Sequence, residues 1–164
     1  MEYSNEQLLV LIEDAEYLLD EAEALGYVIN SVPVYEKPPG AESVFEMLAL
    51  IDYAQKKFYR PAIEQIYRQT SARIEIEDYR KTFSLDEDEK DVMKLLGHIG
   101  KNRSAIITFI KKMPIKDLLI QGSINGKSRS IASLIEEMVE MERVQLKRVA
   151  DRILSIDNGR TAAN

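Results

Sequence analysis

The stretch SIASLIEEMVEMERVQ, residues 130–145, decides the fold, because its apolar residues recur at intervals of three and four. Ser130 is a good helix N-cap, and the stripe after it contains Ile131, Leu134, Ile135, Met138, Met141 and Gln145. This spacing places the stripe on one face of an amphipathic helix. The segment therefore predicts the last helix of a bundle.

Three earlier segments have the same periodicity and begin with helix-start signals. Residues 4–7 (SNEQ) form a capping-box pattern, which predicts a first helix from about residue 5 to the high twenties. Residues 43–46 (SVFE) begin a second helix, which Pro61 is expected to kink or divide. Residues 84–87 (SLDE) begin a third helix, which Pro114 ends.

The connections complete an all-α prediction. Residues 30–40 contain three of the five prolines and are interpreted as a crossing loop, whereas residues 121–130 are rich in turn residues. Since no segment has an alternating strand pattern, the sequence predicts an up-down four-helix bundle. Residues 1–156 are expected to form one domain, and residues 157–164, which lack apolar periodicity, are expected to fray.

The composition excludes several functions. The net charge of −6 argues against nucleic acid as a partner, because phosphate-binding surfaces are basic. There is no cysteine to form a disulfide or to act as a nucleophile. No apolar run approaches the ~18 residues of a membrane span, so we expect a soluble, cytoplasmic protein with no membrane partner.

Few residues suit catalysis or metal binding. His98 is the single histidine, so one chain cannot form a three-histidine site, and a structural role is its more common use. Glu142 borders the inner stripe and is predicted to pair either with Arg103 of the third helix or with a basic neighbour, as a structural pair rather than an acid-base catalyst. Glu46 and Asp52 are further candidate oxygen ligands for a hard cation, although acids more often form a solvated face.

The last helix has a second apolar face, formed by Val139, Leu146, Ala150 and Ile153. This coverage is wider than a bundle helix with one solvated side requires. Either the long loop of the same chain or a second copy covers it. We favour a homodimer, because twofold dimers are the commonest soluble oligomers.

The layout resembles the DinB-like (YfiT-like) superfamily of four-helix bundles over roughly residues 5–156. The resemblance rests on the crossing loop, on ESVFEMLALID at residues 42–52 and on GKSRSIASLIEEMVEMERVQ at residues 126–145. It implies a divalent metal, usually zinc or nickel, held by one histidine from the second helix and two from the fourth, about one turn apart. Some members are metal-dependent hydrolases or transferases that use a small-molecule thiol.

The positions that correspond to the three histidines hold Leu50, Met141 and Gln145 in this sequence. Leucine cannot coordinate, a thioether binds soft ions weakly, and an amide oxygen is a poor zinc ligand. We therefore expect no cofactor and a metal-free, non-catalytic module. Its apolar pocket, lined by these three residues, would bind a small apolar ligand or a protein partner.

Two alternatives remain open at this stage. One is a divergent enzyme of the same superfamily, using an ion held by carboxylates or acid-base chemistry by Glu142 and His98. It requires residues from the set Glu46, Asp52, Glu142 and His98 to converge within bonding reach in a cleft. The other is a bundle that only binds partner chains and has no ligand.

Overall fold

The protein is a four-helix bundle. Its structure is a computed structural model that describes residues 2–85 and 91–163, with the side chains described as far as residue 156. The helices are α1 (Asn5–Gly26), α2 (Val44–Ala54), α3 (Arg60–Arg68), α4 (Tyr79–Thr82), α5 (Val92–Lys112) and α6 (Ile131–Ala163). The strands are β1 (Arg73–Ile74), β2 (Gln121–Ile124) and β3 (Lys127–Ser130). The predicted all-α, four-helix bundle class is confirmed.

The bundle places α1 and α2 on opposite corners, each packed between α5 and α6. The loop between α1 and α2 therefore crosses the end of the bundle, as predicted. α1 runs parallel to α6, because Tyr3 contacts Glu136 and Asp14 lies 3.0 Å from Arg143. The chain directions are up, down, down, up, which differs from the alternating up-down order that the sequence predicts. The connection between α3 and α5 returns the chain to the end where α2 begins, so α5 runs parallel to α2.

Three of the predicted helix starts are present. The Gln7 N–H donates to Ser4 Oγ at 3.1 Å and Gln7 Oε1 accepts from the Ser4 N–H at 2.8 Å, which completes the capping box of α1. Ser43 and Ser130 accept backbone N–H groups at the starts of α2 and α6. Local side-chain chemistry alone determines these boundaries, which is why the sequence predicts them.

The predicted start of the third long helix at Ser84 was wrong. Ser84 lies in an irregular segment, and residues 86–90 of the predicted start fall outside the described part of the chain. The N-cap of α5 is Asp91, whose Oδ1 accepts the N–H groups of Met93 and Lys94, both at 3.1 Å. A carboxylate at this position satisfies two free donors and also interacts favourably with the helix dipole.

Pro61 divides the second helical segment, as predicted. A π-turn, Gln55–Tyr59, separates α2 from α3, and the Arg60 N–H donates to the Gln55 carbonyl five residues earlier. Proline at position 61 lacks an N–H and its ring collides with the carbonyl of Lys57, so a wider turn relieves the conflict. The π-turn carries the Gln55 side chain into the core.

Residues 121–130, interpreted from the sequence as a turn-rich segment, contain a turn and also two strands that were not predicted from the sequence. β2 and β3 form an antiparallel hairpin, and β1 pairs with β2 in parallel. Asn125 and Gly126 have φ values of +51° and +83°. An Asn-Gly pair with positive φ at both positions is a common two-residue hairpin turn. Apolar periodicity does not detect strands this short.

The second apolar face of α6 is largely covered within the chain. Val139, Leu146 and Ile153 are 3%, 8% and 9% exposed, and α6 packs along α1. Ala150 is exposed. The homodimer stays a prediction, without support from these three residues.

The backbone of α6 is helical through Ala163, beyond the residue where the sequence predicts fraying. The division into a domain of residues 1–156 and a tail of residues 157–164 stays a prediction. In the described ranges, no helix has both the length and the apolar character needed to cross a bilayer.

Candidate functional site

A charged pair lies in the centre of the bundle. Arg103 of α5 and Glu142 of α6 are 3% and 0% exposed and form an ion pair. Gln55 of the π-turn is also 0% exposed and donates from Nε2 to Glu142. Arg103 also donates from a terminal nitrogen to the Ala15 carbonyl of α1 at 2.9 Å. These three side chains, hereafter the buried polar cluster, connect all four corners of the bundle.

The two charges of the buried polar cluster, on Arg103 and Glu142, can stay in the core only as a pair. Burial lowers the pKa of Arg103 to about 10, which still leaves the guanidinium charged at neutral pH. Removing an ion from water costs several kcal/mol, so Arg103 and Glu142 each require the other. The void beside the pair is about 10 Å³, at the lower limit for one water molecule. This part of the core is packed rather than hollow.

Of the two partners that the sequence left open for Glu142, Arg103 or a basic neighbour, the structure shows Arg103. Gln55 was missed, although the sequence contains a signal for it. Arg103 follows Ile99 by four residues and precedes Ile106 by three, so it occupies an inward position on an apolar stripe. Gln55 lies at the same spacing between Ile51 and Phe58. Polar residues at inward positions of two helices are expected to find each other.

The three residues predicted to line a pocket lie in packed surroundings. Leu50 is half-buried, and Met141 and Gln145 are 7% and 5% exposed. The Gln145 amide donates to the Met47 carbonyl at 3.1 Å and accepts from Arg148 at 2.8 Å. None of the three lines the cavities described below.

The four candidate residues of the enzyme alternative do not all lie together. Glu142 belongs to the buried polar cluster, and Glu46 lies 3.4 Å from Lys37 near the start of α2. Only Asp52 and His98 line the same cavity. Among the described residues, no group of three or more His, Asp or Glu side chains is arranged to hold a metal ion.

That cavity lies between α2 and α5 and has a volume of about 240 Å³. We call it the α2–α5 cavity. It is lined by Phe45, Ala49, Asp52, Tyr53, Lys56, Phe83, Ser84, Leu85, Leu95 and His98. Asp52 accepts from Asn102 at 2.9 Å and from Lys56 at 3.2 Å. Apolar walls around a few oriented polar groups are typical of a small-molecule site.

Two larger grooves follow the seam between α1 and α6. One, of about 820 Å³, includes the acidic residues Glu2, Glu6, Asp14, Glu136 and Glu140. The other, of about 540 Å³, is mainly apolar and is lined by Glu21, Ala24, Leu25, Val28, Arg143, Leu146, Lys147 and Ala150. The predicted site residues lie in neither groove.

The sequence matches no known family profile and no curated protein. The structure does match a solved one: YfiT from Bacillus subtilis, described as a probable metal-dependent hydrolase with an unusual four-helix bundle topology. The TM-score is 0.75, and the alignment covers 92% of this chain and 90% of YfiT. This chain has the YfiT fold. Since the two sequences are 10% identical, the likeness shows the fold alone.

The metal site implied by the resemblance to the DinB-like superfamily does not fit the residues present. Leu50, Met141 and Gln145 offer one non-ligand, one soft donor and an amide that is already hydrogen-bonded on both sides. In the buried polar cluster, Glu142 already pairs with a guanidinium. A divalent ion there would have to displace or repel a fixed positive charge.

Proposed function

We propose that this protein is a metal-independent, non-catalytic binding module with the YfiT fold. The observation that carries the proposal is the buried polar cluster, in which the Arg103 guanidinium supplies the cation that neutralises Glu142 inside the bundle. The ligand is a small molecule bound at the surface of the bundle rather than in its core.

The chemistry of the donors supports this proposal. Arginine stays charged at all physiological pH values and makes directional hydrogen bonds to a carboxylate. Glu142 also accepts from Gln55, so both protein partners compete with any metal for its oxygens. With 0% exposure of Glu142, an incoming ion would also have to lose its own water shell.

The rival function is a divergent metal-dependent hydrolase or thiol transferase. One observation favours it: Asp52 and His98 line the same cavity. Catalytic zinc sites use three protein ligands, so two donors, one of them already bound by Asn102 and Lys56, are a weaker set.

Elemental analysis after equilibrium dialysis against zinc, nickel or manganese tests the proposal. We expect well under one metal per chain for the wild type. The variant Arg103→Leu leaves Glu142 without a cation, so we expect it to gain weak metal binding, and Arg103→Leu/Glu142→Gln to lose that gain. Circular dichroism on each variant checks that the bundle is still folded.

Stoichiometric metal on the wild type would contradict the proposal. If Asp52→Asn then abolished that metal binding, the site would be the α2–α5 cavity and the hydrolase would become the better assignment. If Glu142→Gln abolished it instead, the ion would lie in the core in spite of Arg103.

A further inference from the structure

We infer that the α2–α5 cavity binds a small organic ammonium ion that carries a single ring or a compact apolar group. The inference rests on the proposed function, because it assigns the ligand site of the binding module. The observation behind it is a carboxylate, Asp52, beside three aromatic side chains in one cavity.

The aromatic side chains are Phe45, Tyr53 and Phe83. Tyr53 and Phe83 pack edge to face with ring centroids 5.4 Å apart, and the Tyr53 hydroxyl donates to Thr82 at 2.9 Å. These contacts hold the Tyr53 ring in place. Aromatic rings attract ammonium groups through their negative faces, and sites built from several rings are typical of alkylammonium recognition.

Asp52 supplies the negative charge, and its orientation is set from α5. Asn102, 7% exposed, donates to Oδ1 of Asp52 at 2.9 Å. The other oxygen, Oδ2, lies 3.2 Å from the Lys56 ammonium. Oδ2 of Asp52 therefore already accepts a hydrogen bond from an ammonium group, that of Lys56.

A ligand cation can take the place of the Lys56 ammonium beside Asp52. The Lys56 side chain is 43% exposed, and it pairs with Asp52 one helical turn away. Asp52 is 16% exposed, but a pair with so exposed a lysine contributes little free energy. A ligand cation that also buries an apolar group against Phe45 and Leu95 gains contacts that the lysine does not make.

The size of the α2–α5 cavity restricts the ligand. A volume of about 240 Å³ is below the ~300–1,000 Å³ of sites for drug-sized molecules. The cavity therefore suits one ring or a branched alkyl group. An anionic ligand would have to draw Lys56 away from Asp52 and leave that carboxylate without its cation, whereas a neutral ligand would gain nothing from the charge of Asp52.

Titrations followed by two-dimensional amide NMR with three single-ring compounds test the inference. The compounds are benzyltrimethylammonium, benzyl alcohol and benzoate, which differ in charge. We expect benzyltrimethylammonium to bind most tightly, with the largest shifts around the α2–α5 cavity. Because Asp52→Asn removes the charge, it should weaken binding by about tenfold or more. Lys56→Met, which removes the competing ammonium, should strengthen binding by about two- to fivefold.

A matched pair of alanine substitutions controls for location. Ala49→Leu fills the cavity and should abolish the shifts, whereas Ala105→Leu, on α5 in a different surface groove, should leave them unchanged. Four results would each overturn the inference. They are that benzyl alcohol binds as tightly as benzyltrimethylammonium, that benzoate binds more tightly than it, that Lys56→Met binds it more weakly than the wild type does, or that neither the wild type nor Lys56→Met binds it. These results leave the metal measurement unaffected, so the two proposals fail separately.

Discussion

Arg103 and Glu142 form a buried ion pair whose value to the fold is geometric. Replacing such pairs by apolar side chains is often neutral or stabilising, because desolvation offsets most of the attraction. The pair nevertheless permits only arrangements in which α5 and α6 place these two residues opposite each other. Gln55 and the Ala15 carbonyl extend that requirement to the π-turn and to α1.

Replacing only one partner of the ion pair should destabilise the protein more than replacing both. Arg103→Met leaves Glu142 buried without its cation, so we expect the free energy of unfolding to fall by about 3–5 kcal/mol. The double variant Arg103→Met/Glu142→Leu should be more stable than Arg103→Met alone. Urea unfolding of the two single variants and the double variant measures this. Additive losses would mean that the two side chains are not coupled in the folded state.

Tyr59 should make the protein sensitive to alkaline pH. Burial, together with the Tyr79 hydroxyl and Glu137, raises its pKa above the usual value of about 10. Between about pH 10 and that higher pKa the unfolded chain releases the proton and the folded chain keeps it. The stabilising contribution is therefore complete below about pH 10 and is lost as the pH rises.

Tyr59→Phe tests this through urea unfolding between pH 7.5 and pH 11. The variant should lose about 1 kcal/mol at neutral pH, since it lacks the hydrogen bond to Glu137 at 3.1 Å. Its stability should then fall less steeply than that of the wild type above pH 10. Tyr27→Phe, which alters an 83% exposed ring, is the control and should keep the wild-type slope. An unchanged slope in Tyr59→Phe would assign the alkaline effect to other groups.

At the scale of the elements, two glycines differ in what surrounds them. At Gly97, an exposed position of α5, an added Cβ meets nothing within 4 Å. At Gly122 of β2, a Cβ would lie 2.7 Å from Ile66 Cγ1 and 3.3 Å from the Ala72 carbonyl oxygen. The effect of a substitution on stability therefore depends on helix propensity at Gly97 and on packing at Gly122.

Alanine at these two positions should have opposite effects. Gly97→Ala should raise the free energy of unfolding by about 0.5–1 kcal/mol, because alanine loses less backbone entropy in a helix. Gly122→Ala should lower it by about 1–3 kcal/mol, because Ile66 is in the core and has little room to move. Thermal unfolding of both variants checks the signs. A neutral Gly122→Ala would show that β2 can shift away from α3.

Helix starts were predictable where a serine cap and its partner are neighbours in sequence, as at Ser4 and Ser43. The start of α5 was not, because Ser84 and Asp91 are both good caps and the choice between them depends on what the following residues pack against. The Asn125–Gly126 dipeptide by itself predicts a turn, but the hairpin around it was not predicted from the sequence. Apolar periodicity obscured it, since the strands have four residues each.

For the whole molecule, the domain boundary is open to a direct test. Residues 157–164 lack an apolar stripe, so truncation after Ile156 should change the free energy of unfolding by less than about 0.5 kcal/mol. The helical signal in circular dichroism should fall only by the share of the removed turns. A larger loss of stability would mean that the end of α6 packs against the domain and belongs to it.

The sequence by itself determined the number of long helices and most of their boundaries, because caps, prolines and apolar stripes act over a few neighbouring residues. Tertiary structure decided the rest. The directions of the helices, the place of Gln55 in the core and the meeting of Asp52 with three aromatic rings depend on how the bundle brings distant segments together. Periodicity within one helix does not contain that information, because it specifies which face is buried but not which residues of another helix lie opposite.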